Sequence, residues 1–193
     1  MFHRKNTVLM IIDLQERLVP YVQNANTVVT QTKILMGAAR ILGIPLLVTE
    51  QYPEGIGPTI PELKSLLSDT PIISKRAFSC CREPRVMAAL EALQRRQILI
   101  CGIETHVCVF QTAADLIERG YQAQVATEAV SSRTEANKAL GLTRIQHAGG
   151  AITSVESSIF ELLETSACPE FKQILKLIKR KSKVQCRKSQ IKG

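Results

Sequence analysis

A thiol, a carboxylate and an amine stand in this chain where each is awkward unless it serves chemistry. Cys108 lies in Ile100-Cys101-Gly102-Ile103-Glu104-Thr105-His106-Val107-Cys108-Val109-Phe110, where an apolar run meets a Gly-containing turn. A helix is predicted to begin there, over Cys108 to Arg119. Unpaired backbone N–H groups and the positive dipole end at a helix N-terminus favour thiolate over thiol, so a cysteine so placed can be a nucleophile near neutral pH. Asp13 closes the apolar run Val8-Leu9-Met10-Ile11-Ile12, where a carboxylate is costly unless paired. Lys75, after Pro71-Ile72-Ile73-Ser74, poses the same difficulty with the opposite sign. Brought together, the two solve each other's problem and give a thiol its base and its cation. Taken alone, a free cysteine is more often a small buried hydrophobe than a nucleophile. The company of Asp13 and Lys75 reverses that reading.

These residues must be positioned by alternating strands and helices. Buried strands are predicted at Thr7 to Ile12, Pro45 to Thr49, Pro71 to Ser74, Gln97 to Cys101, Tyr121 to Ala126 and Ala151 to Ser154. Between them fall helical patterns at Val28 to Leu42 (closed by Gly43), Pro61 to Leu67, Glu83 to Arg95, Cys108 to Arg119 and Thr134 to His147, with Thr134 as N-cap. Strands separated by helices of this length imply right-handed crossovers and a parallel sheet covered on both faces. The predicted fold is therefore a doubly wound, Rossmann-like α/β sheet of about six strands, in which sites form beyond the carboxyl ends of strands. Asp13, Lys75 and Cys108 all follow such ends.

At 193 residues with 45% apolar content, the chain suits one domain with a full core. No apolar run approaches the roughly 20 residues that span a bilayer, and the opening residues do not read as a secretory leader. The six cysteines lack a secreted-scaffold spacing and are read as reduced thiols, which implies a cytoplasmic protein. The net charge of +8 belongs to one end: nine Lys/Arg and no Asp or Glu fall in 172–193, leaving 16 basic and 17 acidic residues in 1–171. The expected organisation is one α/β domain over 1–171, a C-terminal helix extending to about 178, and a basic, disordered tail over 179–193.

The order Asp, Lys, Cys resembles the isochorismatase-like cysteine hydrolase superfamily, over about residues 5–165. The resemblance rests on Ile11-Ile12-Asp13-Leu14-Gln15, on Ser74-Lys75-Arg76-Ala77-Phe78-Ser79 and on Gly102-Ile103-Glu104-Thr105-His106-Val107-Cys108-Val109. Thr49-Glu50-Gln51-Tyr52-Pro53 with Gly55-Ile56-Gly57-Pro58-Thr59 is similar to the isochorismatase-domain-containing subgroup. The resemblance implies Asp13 as general base, Lys75 as charge stabiliser and Cys108 as nucleophile. It also implies a cis peptide between Ile103 and Glu104, with the N–H groups of Glu104 and Cys108 forming an oxyanion hole. Gln15, Gln51, Tyr52, Phe78, Ile103, Thr105 and His106 are candidate substrate-binding residues, and His106 fits a solvent-facing helix start equally well.

The chain departs from the nicotinamidase pattern, because Gln51-Tyr52-Pro53-Glu54-Gly55 has no metal-binding histidine and the chain holds only three histidines. The expectation is no metal and no cofactor. Glu104 replaces a small residue of many members, and an extra carboxylate in the pocket is expected. Acyl transfer from a small amide or related substrate through a thioester is the expected activity. Homo-oligomerisation is expected too, as dimer or larger, with the apolar stripe at 171, 174, 175, 177 and 178 docking on the domain or on a neighbour. A catalytically silent interaction protein is the alternative. Nucleic-acid association or nuclease activity through the basic tail is less favoured, because the body offers no basic–aromatic face.

Overall fold

A computed structural model of the chain describes residues 1–67 and 70–179. Six strands, β1 (Thr7–Ile12), β2 (Leu46–Gln51), β3 (Ile72–Lys75), β4 (Gln97–Ile103), β5 (Gln122–Ser131) and β6 (Ala151–Thr153), form one sheet. Its order is β3-β2-β1-β4-β5-β6, with every pairing parallel. The chain thus winds outward from β1 in one direction and from β4 in the other. Their boundary is the switch point at which α/β sheets open a crevice.

Side chains along β1 alternate between two cores, which is why the run reads as continuously apolar. Leu9 and Ile11 face α1 (Ala25–Leu42) and α7 (Val155–Leu163). Val8, Met10 and Ile12 face α4 (Pro84–Leu93), α5 (Phe110–Glu118) and α6 (Glu135–His147). Two short helices, α2 (Pro53–Ile56) and α3 (Pro61–Lys64), lie in the loop between β2 and β3. Helix α1 ends as expected on Gly43 in the left-handed region, and Thr134 caps α6 by accepting from the Asn137 N–H.

Three elements differ from expectation. Strand β5 continues five residues beyond Ala126, through a register irregularity against β4. Within that extension the Glu128 carboxylate accepts the Val155 N–H at the start of α7. Helix α7 was not expected. Its signals were present: Ser154 caps the Ser157 N–H at 2.9 Å, and Val155, Ile159, Leu162 and Leu163 bury one face. The helix expected from Cys108 is preceded by a π-helical turn over Thr105–Val109, so α5 starts at Phe110. Such turns recur at functional sites.

The C-terminal helix, α8 (171–179), uses its stripe internally. Ile174 is fully buried, and Leu177 packs where a side chain on Gly37 of α1 would otherwise stand. The stripe therefore covers its own domain. Residues 180–193, most of the expected tail, lie outside the described residues. Among the described residues, no helix is long and apolar enough to cross a membrane.

Candidate active site

Strand pairing decides which reactive groups can meet. Asp13 follows β1 and the turn that carries Cys108 follows β4, its immediate neighbour. Lys75 ends β3, two strands from β1, a span of roughly 9–10 Å at ordinary strand spacing. Only a long side chain reaches across β2, and the Lys75 ammonium arrives 2.7 Å from Asp13 Oδ2. Both side chains are fully buried. Asp13 itself turns out of the strand with φ 53°, a left-handed conformation that aspartate tolerates better than most residues.

The ammonium is saturated. Besides Asp13 it donates to Gln51 Oε1 at 2.7 Å, to the Phe78 carbonyl at 3.1 Å and to the Ala77 carbonyl at 3.3 Å. Three N–H bonds facing four acceptors leave none for a substrate while this arrangement holds. Lys75 therefore acts on Asp13. On the other carboxylate oxygen, Thr49 donates from Oγ1 to Asp13 Oδ1 at 2.8 Å. The Cys108 thiol lies near enough to Asp13 and Lys75 to feel both charges, and is 7% exposed.

Electrostatics correct one expectation. Burial pushes the Cys108 thiol above its ordinary range, the Asp13 charge adds to this, and Lys75 only partly opposes it. These surroundings oppose the thiolate that the helix-start reading favoured. Burial likewise holds the Asp13 carboxyl above the usual carboxylate range, against the pull of Lys75, Thr49 and Cys108. Lys75 is pushed down by burial and raised by Asp13, with a net rise. Burial raises the buried thiols elsewhere as well, Cys80 to about 11 and Cys101 to about 12, so what sets Cys108 apart is the neighbouring Asp13 and Lys75.

The turn that carries Cys108 is shaped by close backbone contact. The Ile103–Glu104 peptide is cis, as the resemblance implies. The Glu104 carbonyl accepts from both Val107 and Val109 N–H, at 3.1 and 3.2 Å. Helix α6 presses on the turn at Gly141, where a Cβ would lie 2.8 Å from His106 N and from the Thr105 carbonyl atoms. Gly141→Ala is expected to lower the thermal midpoint by several degrees and to slow alkylation of Cys108 in the folded protein, read by calorimetry and mass spectrometry. An unchanged midpoint and rate would show that the turn does not depend on this contact.

The other candidate residues divide by what they touch. The Gln15 side chain clamps β2 to its loop, accepting from Gln51 N at 2.7 Å and donating to the Gln51 and Gly57 carbonyls at 2.9 and 2.6 Å. Both ends of the Gln51 amide are engaged, by Lys75 and by the Arg76 carbonyl. Ile103 lies in the core beneath the sheet. Thr105 is buried, and its hydroxyl has no partner among the described residues. His106 is half-buried with Nδ1 3.0 Å from Ser132 Oγ. Tyr52 and Phe78 are exposed, the Tyr52 ring lying under the Arg76 guanidinium at 3.8 Å. The Glu104 carboxylate is not free: Arg133 binds it through its backbone N–H at 3.0 Å and through its guanidinium. Sequence reasoning missed Thr49 and Arg133, although Thr49, a polar residue in the run Leu46-Leu47-Val48, carried a signal. Among the described residues, no group of three His, Cys, Asp or Glu could hold a metal ion.

A six-stranded parallel sheet with helices on both faces is the fold of the isochorismatase-like α/β hydrolases, and this chain shares it. The Isochorismatase domain family matches residues 7–157, and the chain belongs to that family. A Phytophthora sojae protein named secreted isochorismatase effector Isc1 is 42% identical over 185 residues, 93% of this chain and 88% of its own. Isochorismatase domain-containing protein 2 of Rattus norvegicus is 39% identical over 176 residues, 91% of this chain and 82% of its own. A solved structure titled MAR1 ribonuclease from Caenorhabditis elegans is 39% identical, with a TM-score of 0.87 over 92% of this chain and 91% of that one.

Proposed function

We propose that the protein is a metal-independent cysteine hydrolase acting on a small amide or related acyl substrate. The observation that carries the reading is the buried Asp13 carboxylate, held by Lys75 at 2.7 Å and by Thr49 at 2.8 Å, with the Cys108 thiol close enough for the two to shift each other's proton affinity. Asp13 takes the S–H proton as Cys108 Sγ attacks the carbonyl carbon. The backbone N–H groups of Glu104 and Cys108 receive the oxyanion. Collapse breaks the C–N bond, and the amine leaves with the proton from Asp13. A water molecule, giving its proton to Asp13, then cleaves the thioester, releasing the acid and restoring the thiol.

A buried carboxylate above its usual range is suited to this proton traffic, since a base works best when its pKa lies near the working pH. The paired charges and the Arg133-bound Glu104 leave little net charge beside the sulfur, which favours a substrate neutral at its reacting group.

A second reading, hydrolysis of RNA, is favoured by the likeness to the nematode chain titled a ribonuclease. One experiment separates them. The protein is incubated with primary amides, carbamoyl compounds, esters and single-stranded RNA, then followed by intact mass and product analysis. An acyl or carbamoyl adduct on Cys108 with release of the amine or alcohol supports the thioester route. RNA cleavage that persists in Cys108→Ala, without any adduct, would replace it with the second reading.

A further inference from the structure

Strand β2 runs between the strands that carry the two charged residues, and two of its side chains touch both. Thr49 and Gln51 are two residues apart, so they project from the same face of the strand. Thr49 is fully buried, with Oγ1 2.8 Å from Asp13 Oδ1 and 3.7 Å from Cys80 Sγ. An ionised carboxylate only accepts, so the Thr49 hydroxyl donates to Asp13 and is left to accept from the Cys80 thiol. This fixes the direction of a short relay, from Cys80 S–H to Thr49 O–H to the carboxylate. Gln51 Oε1 lies 2.7 Å from Lys75 Nζ, while its Nε2 donates to the Arg76 carbonyl at 2.7 Å. Its backbone is pinned on both sides by the Gln15 amide. An amide so held cannot rotate to present nitrogen to the ammonium.

We infer that Thr49 and Gln51 are positioning residues, Thr49 setting the plane and basicity of the Asp13 carboxylate toward Cys108 and Gln51 fixing the direction of the Lys75 ammonium. The inference rests on the reading of Asp13 as base to Cys108, and it deepens that reading. Two donors, one on each oxygen, leave the carboxylate a single orientation. The titratable groups facing Asp13 are Lys75 from β3, Cys80 from the turn after β3 and Cys108 from the turn after β4. Of these, Cys80 stays protonated well past neutrality, so changes near neutral pH report on Asp13 and Cys108.

The test needs no substrate. Carbamidomethylation of Cys108 by iodoacetamide is followed against pH, with the modified residue assigned by mass spectrometry. Wild type, Thr49→Val, Thr49→Ser, Gln51→Leu and Asp13→Asn are compared, each checked for folding by circular dichroism. Loss of a hydrogen bond to a charged group is expected to move the acid limb of Thr49→Val up by about one pH unit. Thr49→Ser keeps the donor and should retain the wild-type profile. Gln51→Leu should lower the plateau roughly tenfold through misalignment. Superimposable profiles for wild type, Thr49→Val and Gln51→Leu, with Asp13→Asn unreactive, would overturn the inference alone. Equal reactivity in wild type and Asp13→Asn would overturn the base assignment, and the inference with it. Should Thr49→Val not fold, the Gln51→Leu plateau decides.

Discussion

Cys108→Ala is expected to reduce hydrolytic turnover by on the order of 10⁵-fold or more, as when a nucleophile is deleted from other hydrolases. The folded state should survive. Cys108 occupies a small volume, and its removal exchanges one sulfur for a void of that size, at a cost of about 1 kcal/mol. Cys108→Ser tests the chemistry more narrowly. A serine hydroxyl is far harder to ionise than a thiol, and no N–H of the Lys75 ammonium is free to assist it. That variant should therefore be almost as inactive as alanine. Adding Asp13→Asn to Cys108→Ala should cost little further rate, since residues that act as a unit are non-additive. Steady-state hydrolysis of a responsive amide, with denaturant midpoints measured in parallel, reads both effects. Retained turnover in a well-folded Cys108→Ala would remove the sulfur from the mechanism.

Why the sequence disclosed the pair but not its surroundings follows from the kind of signal each leaves. Asp13 and Lys75 interrupt apolar strands, and a buried charge in such a run demands a partner. The meeting of the two was therefore legible from composition and strand ends. The sheet was legible for the same reason, because strands buried on both faces read as unbroken apolar runs. By contrast, the state of the Cys108 thiol was not. The expected helix start would favour thiolate, but burial and the Asp13 charge outweigh it. Such a balance depends on the enclosing surface, which local spacing does not encode. The π-helical turn was hidden likewise, since the fit of α6 at Gly141 is a contact between residues more than thirty apart. Glu104 looked like a pocket carboxylate until Arg133 was found to bind it, another long-range pairing. The β5 extension and α7 were legible in part. The apolar run resumes at Ala129-Val130 after the polar Thr127-Glu128 pair, and Ser154 begins a capped apolar period.

Lys75→Met is expected to destabilise the fold by about 3–5 kcal/mol at neutral pH, the usual cost of leaving one member of a buried pair without its partner. The methionine fills most of the space of the lysine stem, so the loss reports charge more than volume. Asp13 then sits fully buried with the Thr49 hydroxyl as its remaining side-chain donor and Cys108 nearby. Burial without the counter-ion raises its folded pKa further above the ordinary carboxylate value near 4. A folded state that binds a proton the unfolded chain has released loses stability as pH rises. Wild type shares a weaker form of this limb, because burial holds its own Asp13 above the carboxylate range. The deficit should thus be smallest at low pH, grow between the folded Asp13 value of wild type and the higher one of the variant, and level off once both are ionised. Wild type also has an alkaline limb. Its Lys75 is raised in the fold, so that contribution is complete below the ordinary lysine value and is lost as pH rises through the folded one. The two proteins should accordingly converge again in strong alkali. Asp13→Asn/Lys75→Met removes both charges while keeping a side chain that tolerates the positive φ and can still accept from Thr49. Since a buried pair seldom repays its desolvation, the double variant should recover to within about 1–2 kcal/mol of wild type, yet show no Cys108 activation. Urea midpoints at three pH values decide it. A flat deficit across pH, or a double variant no better than Lys75→Met, would mean that the two charges do not depend on each other in the fold.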